Sequence, residues 1–166
     1  MRFFPILSLC IVVSLSFFAC GSGEKTCALG APQAIFSEEM DIVNQHSFEA
    51  KGQESTERFV VDDSLSVEIQ QSGCDKVRQI FIFDLQGDYT NPTNNWVEFA
   101  ADLLYDLGAA GPEIAIYFDP LSAQIGQEAA KISLGEPYAL GDGRSVIITK
   151  VVAANHSQVS VEIMNE

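Results

Sequence analysis

Leu65-Ser66-Val67-Glu68-Ile69-Gln70 and, one turn later, Ile80-Phe81-Ile82-Phe83 decide the fold class of this chain. In the first run Leu65, Val67 and Ile69 alternate with Ser66, Glu68 and Gln70. Period two with one polar side marks a half-buried strand, because successive side chains of a strand point to opposite faces. The second run is apolar on both faces, which predicts a central strand. Asp62-Asp63-Ser64 offers a tight turn after Phe59-Val60-Val61, and Ser72-Gly73-Cys74-Asp75 separates the two runs. Further strands are expected near Ala34–Phe36 and Ser47–Lys51.

Downstream the period changes. Trp96, Phe99, Ala100, Leu103 and Leu107 fall at helical spacing, with Asn91-Pro92 as N-cap and first helical residue and Gly108 as the stop. Ile114–Phe118 reads as a short buried strand. Asp119-Pro120 or Ser122 then opens a second helix, lined on one side by Leu121, Ile125, Ala129 and Ile132 and ended by Leu134-Gly135. Ser145–Val152 and the alternating Val159, Val161 and Ile163 form a hairpin around Asn155-His156-Ser157, after a turn at Gly141-Asp142-Gly143. Strands, helices, then strands predict an α+β fold: a mainly antiparallel sheet with two helices packed on one face.

The amino terminus is of another kind. Arg2 is followed by Ile6–Ala19, which holds no ionisable group but the Cys10 thiol. That is the charge and length pattern of an export signal. The segment Ser16-Phe17-Phe18-Ala19-Cys20 resembles the lipobox of bacterial lipoproteins, with Phe17 where that family usually has leucine. The resemblance covers about twenty residues. It implies that Cys20 becomes the first residue and carries the lipid, a diacylglyceryl thioether with palmitate-type chains. The protein would then be lipid-anchored in the bacterial cell envelope, outside the cytoplasm. A plain secretion signal cut near Ala19 and an uncleaved anchor are the other readings. The expected organisation is a signal peptide over 1–19, a flexible tether over 20–32 ending in Gly30-Ala31-Pro32, and one α+β domain over 33–166.

Removing residues 1–19 leaves 8 Lys+Arg against 23 Asp+Glu. Nucleic acid is an unsuitable partner for that balance, since phosphate binding needs a basic face. A cationic protein is a suitable one, steered by long-range attraction. An acidic surface also serves solubility alone. With Cys20 acylated, Cys27 and Cys74 remain, and in an oxidising compartment they suggest a disulfide. By the loop-entropy account it would contribute about 4 kcal/mol. Two free thiols are the alternative. His46 and His156 are the only histidines and no CxxC is present, so no metal site is expected.

No catalytic set is visible. There is no Gly-x-Ser-x-Gly elbow. His46 and His156 lie in polar, turn-like segments and read as surface residues. Asp84 and Asp119 each follow an apolar run, so they are candidates for an acidic site at the sheet ends, against the plainer reading that each caps or turns the chain. Asp84–Asn91 places oxygen side chains at alternate positions but lacks the glycine and distal glutamate of a calcium loop. Glu98, Asp102 and Asp106 make an acidic row at i, i+4, i+8, either a solvated face or a docking stripe. Trp96 reads as core. No cofactor is expected. The function that follows is a non-enzymatic, membrane-anchored binding module toward a cationic protein such as a wall-degrading enzyme. A small hydrolase using sheet-end carboxylates and a structural or assembly lipoprotein are the alternatives.

Overall fold

The computed structural model describes residues 30–87 and 95–165. The expected signal segment, Cys20, Cys27 and the Asn91-Pro92 helix start lie outside the described residues. Seven strands form one sheet: β1 (Asn44–Lys51), β2 (Glu54–Asp62), β3 (Leu65–Ser72), β4 (Arg78–Gln86), β5 (Tyr138–Ala139), β6 (Arg144–Ala153) and β7 (His156–Asn165). Between β4 and β5 come two helices, α1 (Trp96–Gly108) and α2 (Pro112–Glu128). The sheet order is β1-β2-β3-β4-β7-β6-β5, and every pair is antiparallel. The molecule is therefore α+β with an antiparallel sheet.

The alternation read from residues 65–70 holds: Val67 and Ile69 are buried. The Asp62 turn forms because Asp62 Oδ1 accepts hydrogen bonds from the Ser64 N–H, the Ser64 hydroxyl and the Leu65 N–H. β4 stands in the middle of the seven strands, as its apolar run predicts. Its two faces differ, however. Phe81, Phe83 and Leu85 are fully buried, whereas Ile80, Ile82 and Asp84 are only partly covered. The buried face continues through Val159 and Val161 of β7 and Val146 and Ile148 of β6.

Several sequence expectations need correction. Ile114–Phe118 is not a strand but part of α2, which starts with Pro112 in its first turn after the N-cap Gly111. Its buried residues Ile114, Phe118, Leu121 and Ile125 keep helical spacing, while Ile116 is 77% exposed. Asp119-Pro120 therefore does not open the helix; Pro120 lies inside it. A proline there leaves the carbonyl four residues earlier without its donor. That carbonyl belongs to exposed Ile116, where water can serve it. The last helical residue is Glu128, not Leu134. α1 takes Asn95 as its N-cap, whose Oδ1 accepts from Val97 N and Glu98 N at 2.9 Å each. Ala34–Phe36 forms no strand. Trp96, read as core, is partly buried against the core cluster, edge-on to Phe99 at 5.8 Å, with Lys150 Nζ 4.5 Å from its ring centre.

The helices lie close to each other and to the sheet residues. A Cβ on Gly108 would stand 2.7 Å from Asp119 Oδ1 and 3.5 Å from the Ala115 Cα, so α1 approaches α2 there without a side chain between them. Phe118 of α2 meets Phe81 of β4 edge to face at 5.4 Å, and the Tyr117 hydroxyl donates to Gln79 Oε1 at 2.7 Å.

Candidate functional site

The two helices carry six carboxylates (Glu98, Asp102, Asp106, Glu113, Asp119 and Glu128) and no basic side chain. On the sheet and its turns three arginines are ion-paired: Arg58 with Glu68, Arg78 with Glu162, Arg144 with Asp142. On the helices Glu128 is paired with Lys131. Among the described residues no ion pair holds Glu98, Asp106, Glu113 or Asp119. Each helix thus carries charge of one sign.

Between α1 and α2 that charge borders a groove of about 560 Å³. Glu98, Asp102 and Asp119 line it, together with Tyr105, Ser122 and the small Ala101, Ala123 and Gly126. Helical spacing brings Glu98 and Asp102 to one side, and α2 supplies Asp119 opposite. Tyr105 is 60% exposed and offers an aromatic surface at the rim. Burial, and then the charge of Asp102, raise the Asp106 carboxyl above its ordinary pKa. Among the described residues no three His, Cys, Asp or Glu side chains converge as metal ligands would.

Asp84 and Asp119, considered together from sequence, are not brought together. Asp119 borders the helix groove and is not at a sheet end. Asp84 lines a separate cleft of about 330 Å³ with Arg58, Ser66 and Glu68. There it is 3.2 Å from His156 Nε2 and accepts from Gln158 Nε2 at 3.2 Å. Two carboxylates working on one substrate bond need a common cleft, and these two line different ones. Another cleft, of about 400 Å³, lies between residues 30–33 and Gln53, Gln71 and Gly73, and no ionisable side chain lines it. Cys74, in the turn between β3 and β4, is disulfide-bonded.

One polar centre was missed in the sequence. Glu57 on β2 is 0% exposed. Its carboxylate accepts from Ile35 N at 2.9 Å, from Phe36 N at 2.8 Å and from His46 Nε2 at 2.8 Å. His46 is not a turn residue on the surface but lies in β1, its side chain 14% exposed. A bulge puts it there: Gln45 has φ 51°, and the register slips between Asn44↔Val60 and Ser47↔Arg58. The extra residue re-aims the following side chain. The signal was available: counting back from Phe59 in steps of two places Glu57 on the inward side.

No protein family, curated protein or solved structure matches the chain.

Proposed function

We propose that this chain is an envelope lipoprotein, held to a membrane through lipid on Cys20, whose folded domain docks a cationic protein without catalysing a reaction. The observation that carries the docking reading is the one-sign charge of the two helices and the groove between them. Six carboxylates and no base lie on α1 and α2, and three of the carboxylates border one groove. In this reading both helices cover the same face of the sheet and turn their acidic sides outward. Two contacts support that placement: α2 meets the buried sheet face at Phe81, and α1 meets Lys150, which pairs in register with buried Val159 on that face. Cys74 pairs with Cys27 in the same reading, which would fasten the tether to the β3–β4 turn; the bonded state of Cys74 and the reservation of Cys20 for lipid support it. The fitting partner class is a basic wall-degrading enzyme, bound by an inhibitor or immunity factor. Its approach would be fast and salt-sensitive, because exposed charges steer association.

The test is cross-linking in intact cells with mass-spectrometric identification, repeated with a Glu98→Gln/Asp102→Asn/Asp119→Asn triple variant. One dominant basic protein is expected, with affinity lowered about tenfold or more by the variant and similarly by high salt. Recovery of the same partner with unchanged affinity in the variant rejects the groove. An enzymatic activity lost in Asp119→Asn alone, with folding intact, rejects the non-enzymatic reading.

A further inference from the structure

A seven-stranded open sheet has two edges, and here they are treated differently. The β1 edge is interrupted by the bulge at Gln45 and carries Glu49 and Lys51, devices that deter strand pairing. At the opposite edge β5 pairs only with Ser145 and Val146 of β6. Two more bonds flank it: Leu140 N–H donates to the Arg144 carbonyl and Gly135 N–H to the Ile148 carbonyl, both at 2.8 Å. Both carbonyls belong to even-numbered residues. In a strand, alternate residues direct their N–H and C=O to the same side. Lys150 and Val152 therefore direct theirs outward, and the odd-numbered residues direct theirs to β7. The two-residue loop closed by Ala153↔His156 agrees with that assignment.

Past Ile148 no described residue pairs with the outer side of β6. Thr149–Ala153 is exposed throughout, with Val151 62% and Val152 38% exposed. The segment contains no proline, glycine or acid, and its register with β7 runs without a shift. Its one charge, Lys150, lies over the Trp96 ring. An uninterrupted apolar edge of this kind is a template for strand addition.

We propose that this edge pairs with the same edge of a second copy of the chain, antiparallel, about a two-fold axis beside Val151. The sequence favours that register over its neighbours. With Val151 opposite Val151, Lys150 and Val152 face each other twice and form two hydrogen-bonded pairs, which together use all four outward backbone groups. The two valines meet on the axis as a close β-branched pair. Shifting one way sets Lys150 opposite Lys150; shifting the other leaves it opposite the turn residue Ala154. The interface is short, below the usual 1,200–2,000 Å² of stable complexes, so the dimer is weak, with a dissociation constant above about 1 μM. Each copy has a net charge of −14, so salt strengthens the association by screening repulsion. A cationic partner in the helix groove shows the opposite salt dependence, so the two readings fail separately.

Sedimentation equilibrium of the purified chain over a wide concentration range, at low and at molar salt, tests the proposal. The average mass should climb toward twice the monomer, and climb sooner at high salt. Val152→Pro removes an outward N–H and no β7 bond, and should keep the chain monomeric. Val151→Glu should do the same by placing like charges on the axis. An equimolar mixture of Val151→Glu and Val151→Lys should associate again, which no unfolded variant could do. A monomer at every concentration and salt overturns the proposal. So does a dimer indifferent to both valine variants, or one weakened by salt.

Discussion

Glu57 is the residue whose removal the fold should feel most. Alanine there would leave two backbone N–H groups, Ile35 and Phe36, and the His46 ring nitrogen without their acceptor in a site closed to water. Leaving buried donors without their acceptor costs about 1–3 kcal/mol each. Glu57→Ala should lose about that much in urea unfolding, and Glu57→Gln, which keeps a carbonyl acceptor, should lose less. A loss below about 1 kcal/mol for the alanine variant would show that water already reaches these donors. The spacing from Phe59 places Glu57 inward, yet it is easily passed over, because a glutamate in a strand is ordinarily outward. The bulge at Gln45 that delivers His46 has no composition signal, since glutamine is an unusual residue at positive φ. Asp119 departs from its expected sheet-end place for a related reason, whereas Asp84 does lie near the end of β4: residue order places a carboxylate after an apolar run, but only the tertiary fold decides whether that run is strand or helix.

The elements divide by how their period could be read. β3, β4 and the β6–β7 hairpin were legible because alternation survives wherever one sheet face is buried. The start of α2 was not, because Ile114–Phe118 is a short apolar run that fits a strand or a helix equally, and Pro120 looks like a beginning when it is an interior residue. The acidic row of α1 was legible as spacing, though not its position beside Asp119. That row yields a pH prediction. Asp106 lies in the last turn of α1, where no basic side chain offsets the negative end of the helix dipole. Burial and the Asp102 charge raise its pKa. A carboxyl raised in the fold contributes its stability fully below its unfolded value, and that contribution is lost as pH rises through the folded value. Asp106→Asn should therefore unfold at a higher temperature than the parent at about pH 7, with the two midpoints converging below about pH 3. Equal midpoints at neutral pH would mean that solvent already relieves the carboxylate.

At the scale of the whole molecule, attachment and charge belong together. Among the described residues no helix is long and apolar enough to cross a membrane. The strongly acidic balance also disfavours adhesion to anionic lipid. Under the proposed function, Cys20 and its acyl chains are then the whole of the anchor, at about 0.8 kcal/mol for each buried methylene. Cys20→Ser should move the protein from the membrane fraction to the soluble fraction with its fold unchanged. Retention in the membrane would point to an uncleaved signal instead.

The position of β7 has a temporal meaning. It is the last of the seven strands in the chain, yet it lies against β4, the middle one, with Arg78 opposite Met164 and Gln86 opposite His156. A chain that emerges amino end first can assemble β1 to β4 as a meander of neighbours. It cannot close the row of Phe81 and Phe83 until β7 has arrived, some eighty residues later. Pairings so distant in sequence form slowly, since the loop entropy must be overcome before the contacts form. Until that moment the centre of the finished sheet is a raw apolar edge, and the interval before β7 arrives is when the nascent chain is most exposed to sticking elsewhere.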